Sequence, residues 1–202
     1  NIGANGVSVG CTMSISDDVA IISNSASLTI LSGGTINVSQ QVRVGPTNND
    51  GDNFTLNVNN GGTLTVASDF EFNVGAGAGS GADNFTMNNA GTTTINGTIN
   101  INSVTNAAFS NSGTLTLAGS MTAAPAANPA TFANNANATF NLSGDIDNDV
   151  TLTFSAIGNT VNYASNGGAE IEDPIANTYY NLIVGGASNR SLRDNIILDG
   201  NL

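Results

Sequence analysis

Apolar side chains fall at every second position through most of this chain, and short corners rich in Asn and Gly interrupt the alternation. Residues 53–66, NFTLNVNNGGTLTV, show the unit. Phe54, Leu56 and Val58, then Leu64 and Val66, share one face of an extended backbone, because successive side chains of a strand point to opposite sides. Between them Asn59, Asn60, Gly61 and Gly62 tolerate the positive φ that a sharp corner needs. The first half returns thirty-one residues later as NFTMNN at 84–89, and the second as GTTTI at 91–95. The pattern predicts short strands joined by tight corners, repeated to the end of the chain.

Spacing sorts the apolar positions into three columns. The first runs through Val7, Leu28, Leu64, Thr93, Leu115, Phe140, Val161, Leu182 and Leu202, in steps of 21, 36, 29, 22, 25, 21, 21 and 20 residues. The second follows about seven residues on, through Ile15, Ile36, Phe70, Ile99, Met121, Ile146, Ile171 and Leu192. The third is largely aromatic: Phe54, Phe85, Phe109, Phe132 and Phe154. Three strands in every roughly twenty to twenty-five residues is the signature of a solenoid, in which no coil buries its own apolar face and stacking makes the core continuous. The expected fold is therefore all-β: a single-stranded parallel β-helix with three strands per turn and about eight turns. Right-handed winding is the default for parallel crossovers. At ~4.8 Å per coil the rod would be roughly 40 Å long. Asn recurring at the corners fits the same picture, since stacked amides bond along the axis.

The long steps correspond to GPTNNDGDN after Val44 and GAGAGSGADN after Val74. With no large apolar residue to anchor them, residues 45–53 and 75–84 are expected to protrude as exposed loops. The AAPAANPA stretch around Pro125 and Pro129 predicts a smaller excursion, because proline cannot donate to a sheet ladder. Residues 1–202 then form one continuous solenoid. The pattern is already running at Asn1 and still running at Leu202, so the expectation is an internal piece of a longer repetitive chain.

Composition narrows the function classes. There are 33 asparagines, only 9% charged residues, and a formal net charge of −12 carried against Arg43, Arg190 and Arg193. Without a basic stripe, the chain has no means of replacing phosphate counterions, and an anionic membrane surface would repel it. No apolar run approaches the ~18–20 residues of a membrane span. Cations, neutral glycans or other surfaces suit such a field better. Cys11 has no partner for an internal disulfide and, inside an apolar run, is expected to be a buried small hydrophobe.

Catalysis is not expected. The chain has no His and no Lys, and neither a Ser–His pair nor a phosphate-cradling glycine loop. A polysaccharide-acting enzyme would need convergent carboxylates at defined spacing. The acids that do cluster lie along the second column: Asp145 and Asp147 should sit ~5 Å from Glu170 and Glu172 of the next turn, all facing outward. Glu172 should face Arg193. Hard oxygen ligands in such a cluster could hold Ca²⁺, and a solvated acidic face explains the same residues. Asn48, Asp50 and Asp52 alternate like the start of a calcium loop, but the completing bidentate Glu is missing, and loop-forming propensity accounts for them equally.

An outward row of Ser27/Thr29, Thr63/Thr65, Thr92/Thr94, Thr114/Thr116 and Thr139/Asn141 has the form of the arrays that ice-binding solenoids use, although Thr is also a good outward strand residue. Sequons at Asn37, Asn53, Asn84, Asn96, Asn137, Asn141 and Asn189 arise by chance in so Asn-rich a chain.

GGTLTVASDFEFNVG at 61–75 resembles the repeats of large secreted bacterial β-solenoids, including autotransporter passengers. VNY at 161–163, TYYNLIVGG at 178–186 and NIILDGNL at 195–202 resemble repeats of giant surface adhesins of Bacteroidota exported by type IX secretion. The resemblance implies export to the cell surface and so an extracellular location, a long repetitive stalk, and a role in attachment or gliding. Other segments of the same long chain, or further copies in a self-associated filament, are expected as partners. EIEDPIAN at 170–177 departs from the Thr-rich segment usual before TYYNL, and no site residues transfer.

Overall fold

The structure is a computed structural model that describes residues 1–22, 24–45, 52–72, 84–101, 106–123, 130–164, 170–186 and 189–201. Its strands form three parallel ladders, and within each ladder the hydrogen-bonded neighbours are one coil apart in sequence. The first sheet has seven strands: Val7–Val9, Ser27–Ile30, Asn53–Val58, Asn84–Asn89, Asn106–Asn111, Ala130–Asn134 and Val150–Thr153. The second has eight: Thr12–Ile15, Thr35–Val38, Thr63–Val66, Thr92–Ile95, Thr114–Leu117, Thr139–Leu142, Thr160–Tyr163 and Asn181–Val184. The third has five: Val19–Ile21, Val42–Val44, Phe70–Phe72, Ile99–Ile101 and Met121–Ala123. A short pair, Thr178–Tyr179 with Ile197–Leu198, carries the first sheet onward through a bridge between Phe154 and Tyr179. The fold is a parallel β-solenoid with three strands per coil.

The alternation in the sequence sets which side chains go in. In Thr63–Val66 and Thr114–Leu117 the second and fourth residues of the strand are buried and the threonines face out. One apolar cluster results, running from Ile2 to Leu182 through every coil. Its middle is aromatic. The Phe72 ring lies 5.1 Å from that of Phe70, 4.3 Å from Phe85 and 5.5 Å from Phe109, and a second group links Phe132, Phe140, Phe154 and Tyr179. Stacked, tilted and edge-on ring pairs of this kind add to the stabilisation that burial itself supplies.

Column membership differs from the spacing-based assignment at several places. Leu64, Thr93, Leu115, Phe140, Val161 and Leu182 do stack in the second sheet. Leu28 does not join them: it pairs with Val7 and Leu56 in the first sheet, and Ile36 takes the place below Leu64. Ile15 and Ile36 are likewise second-sheet residues, while Val19 and Val42 hold the third-sheet positions under Phe70. In the aromatic column Phe85 lies over Phe54, but Phe109 is opposite Met87, and Leu152 follows Phe132. A slip of two residues, or of one whole strand, keeps every apolar side chain pointing inward, so alternation alone cannot detect it. Only the backbone ladder decides.

Between the first and second sheets a buried corner carries a ladder of amides. Asn89 Nδ2 donates to Asn111 Oδ1 at 2.8 Å and to Thr114 O at 2.9 Å. Asn111 Nδ2 repeats this one coil on, to Asn134 Oδ1 at 2.8 Å and Thr139 O at 2.9 Å. Asn134 Nδ2 donates to Thr160 O at 3.1 Å. Thr93 interrupts the apolar column because its hydroxyl donates to Asn89 Oδ1, closing the ladder at its start. Axial amide bonds were expected at the corners; burial of this set was not. The coils touch closely here: a Cβ on Gly113 would lie 2.1 Å from Gly91 O, which only glycine avoids. Exposed ladders also form, Asn106 to Asn84 to Asn53 and Asn88 to Asn57.

Two further expectations are corrected. Cys11 is exposed, because it sits at the corner between Val7–Val9 and Thr12–Ile15 and not within a strand. Ser27 and Thr29 belong to the first sheet, so the outward threonine column of the second sheet is Thr12, Thr35, Thr63, Thr92, Thr114, Thr139 and Thr160. Asn48, Asp50, most of 75–84, Pro125, Pro129 and Leu202 lie outside the described residues.

Candidate functional site

The third sheet is regular as far as Met121–Ala123, and then it breaks. The next coil places DID at 145–147, where Ile146 makes a single bridge to Met121, with Met121 N–H donating to Asp145 O and Asp147 N–H to Met121 O. One coil later comes EIEDP at 170–174; Ile171 bridges onward to Leu192. Acids flanking one apolar residue, with Pro174 following, give these segments little strand propensity. Where the backbone rung between them would lie, a side chain serves instead: Ile146 N–H donates to Glu172 Oε1 at 3.2 Å.

Glu172 was expected to face outward, as the neighbour of an inward Ile171. It is buried, with a side chain only 2% exposed. Once the ladder has stopped, the carboxylate folds into the gap, where it meets both the Ile146 amide and the Arg193 guanidinium (Nη1 to Oε2, 3.1 Å). Arg193 Nε also donates to Glu170 Oε2 at 2.9 Å. Asp145, Asp147 and Arg193 line one cavity of about 300 Å³, and Asp147, Glu172, Asp173 and Arg193 line another of about 230 Å³. The four acids singled out in the sequence are thus brought together, and they gather around Arg193, as the facing of Glu172 and Arg193 implied. Among the described residues, no three His, Cys, Asp or Glu side chains are grouped to hold a metal ion. Asp52, the described member of the other candidate calcium set, is buried, and its carbonyl accepts from Asn84 N–H at 2.8 Å.

Beneath Glu172 lies a closed polar circuit that sequence reading missed. Tyr179 Oη donates to Glu172 O at 2.7 Å, and Glu172 N–H donates to Tyr163 Oη at 3.2 Å. Since the Tyr179 proton is committed, Tyr163 donates across the 2.9 Å contact between the two hydroxyls. Burial pushes both phenols well above their ordinary range, so both stay neutral donors. Arg190 covers the Tyr163 ring at 5.4 Å. The signal available in the sequence was tyrosine at two inward positions of an otherwise aliphatic or phenylalanine core, which implies a polar partner inside.

Burial pushes the Glu172 carboxyl up to about 7, with Asp145 adding to the effect and the Ile146 amide and Arg193 opposing it. The folded chain therefore holds this proton more tightly than the unfolded one. The stabilisation is complete below the ordinary carboxyl value of 4.5 and is lost as pH rises through about 7. The chain has no His, the side chain that would ordinarily titrate in this window. Melting temperature is expected to fall between these limits in the native chain and to stay level in Glu172→Gln. A native profile that is flat or rises would contradict the assignment.

No known family model matches the chain, and neither a curated protein nor a solved structure matches it.

Proposed function

We propose that this chain is a length of rigid stalk in an extracellular surface protein or filament, which promotes attachment by projecting a binding region away from the cell. The observation that carries this reading is register: strands of successive coils pair in parallel, in the first and second sheets along nearly the whole stack and in the third as far as Met121–Ala123, around one apolar cluster. Stiffness follows, since backbone hydrogen bonds join successive coils and, at the corner from Asn89 to Asn134, side-chain amides add to them. The outward faces of the first and second sheets are mostly Ser, Thr and Asn, which can meet neutral glycans or hydrated surfaces without charge repulsion. The resemblance to type IX-secreted adhesins supports the same reading.

Pulling on the chain in an optical trap tests it. A stalk resists as a rod and then lengthens in steps of about one coil, roughly twenty to thirty residues each, as nearest-neighbour interfaces fail. Extension at low force like an unstructured linker would overturn it, as would release of reducing ends from polysaccharide incubated with the chain.

A second reading rests on the seven aligned threonines from Thr12 to Thr160, a longer column than the five-turn row expected from spacing. Alignment at ~4.8 Å gives a flat, regular hydroxyl array of the kind that can order water. Thermal hysteresis abolished by Thr92→Lys on this face would favour ice binding; freezing-point behaviour like that of an unrelated protein at equal concentration would remove it.

A further inference from the structure

Asn-Gly pairs are chemically fragile, because a glycine amide nitrogen unshielded by a Cβ can reach the asparagine side chain. Three such pairs fall among the described residues: Asn5–Gly6, Asn60–Gly61 and Asn96–Gly97, and all three asparagines are exposed. The fold treats their glycine nitrogens differently. Gly97 N–H donates to Ser68 O of the coil below at 3.1 Å, and Gly6 N–H donates to Gly3 O at 3.0 Å. Among the described residues, Gly61 N–H finds no acceptor and the Asn60 side chain no hydrogen-bond partner; the corner is closed instead by Gly62 N–H to Asn59 O at 2.7 Å.

We propose that Asn60 is a site of spontaneous, water-dependent deamidation, selected over Asn5 and Asn96 by the free amide of Gly61. The Gly61 nitrogen attacks Asn60 Cγ and gives up its proton to solvent. The new C–N bond closes a five-membered imide as the Cγ–Nδ2 bond breaks and ammonia leaves. Water then opens the imide at either carbonyl, leaving aspartate or isoaspartate and one added negative charge; no oxidant or reductant takes part. Isoaspartate also lengthens the backbone by one carbon, at a corner without slack. Gly61 O accepts from Gly33 N–H at 2.9 Å, and a Cβ on Gly91 would already lie 2.3 Å from Gly62 O and 2.5 Å from Asn59 O. Modification at Asn60 would therefore loosen the stack where the coils of residues 30–34, 59–62 and 90–92 meet.

The test is a time course of the whole folded chain at mildly alkaline pH, read by peptide mass spectrometry for amide-to-acid conversion. Asn60 is expected to convert about two- to tenfold faster than Asn5 or Asn96, the factor that one retained amide hydrogen bond imposes. In the chain unfolded by urea, most of that difference should vanish, since the shielding belongs to the fold. Conversion of Asn5 or Asn96 as fast as Asn60 in the folded chain would overturn the proposal, and so would an equal preference for Asn60 in the unfolded one.

Discussion

Phe72→Ala is expected to lower stability by about 3–5 kcal/mol, the range for deleting a fully buried aromatic ring. Phe72 has no exposed surface and touches three other rings, those of Phe70, Phe85 and Phe109, which belong to its own coil and the two that follow. Those partners cannot close the void, because each is fixed by a backbone held in register with its neighbours. In a solenoid the loss also weakens two successive interfaces, so the damage should be local. Urea unfolding should show a lower midpoint, and hydrogen exchange should rise most between residues 53 and 111. A loss below about 1 kcal/mol would mean the aromatic group is not packed as described.

Asn111→Ala should cost about 2–4 kcal/mol, more than its size suggests. The residue is 1% exposed and links three coils: its oxygen accepts from Asn89, and its nitrogen donates to Asn134 and to Thr139 O. Truncation leaves Asn134 Oδ1 without its donor and the Thr139 carbonyl under-bonded in a dry corner, and each stranded group costs ~1–3 kcal/mol. Asn88→Ala provides the internal control. Asn88 bonds along the axis in the same way, to Asn57 at 2.9 Å, but at an exposed position where water replaces the partner. Its change should stay within about 0.5 kcal/mol, and equal losses at the two positions would refute the distinction between buried and solvated ladders.

How much of this was legible beforehand varies by element. Strand content, parallel stacking and the inward face of nearly every strand follow from the period-two alternation, because each buried apolar residue must find a neighbour on the adjacent coil. In the first two coils spacing alone puts Leu28 under Leu64, whereas the ladder puts it under Leu56. Leu28 and Leu56 are 28 residues apart but Val7 and Leu28 only 21, and a count of residues cannot say where in a coil the extra ones fall. Burial of Asn89, Asn111 and Asn134 was hidden because the same residue type also lines the exposed rows; the clue was Asn-x-Gly recurring at 89–91 and 111–113, where glycine permits close coil contact.

The acidic site was legible as a cluster but not as a shape. The spacing put Asp145, Asp147, Glu170 and Glu172 together and opposed Glu172 to Arg193. It could not show that the third sheet stops there, because alternation continues through Ile146 and Ile171 even where backbone pairing does not. With the rung missing, Glu172 turned inward against its parity, and the tyrosine circuit formed below it.

The central claim is that one coil adds one fixed rise, whatever the number of residues in it. Spin labels on the outward threonine column measure this directly, with one label at Thr12 and the second at Thr114, Thr139 or Thr160, in a Cys11→Ser background. These positions lie four, five and six coils from Thr12. Narrow distributions centred near ~19, ~24 and ~29 Å are predicted from a rise of ~4.8 Å per coil. Broad distributions, or distances that follow residue separation instead of coil number, would contradict it.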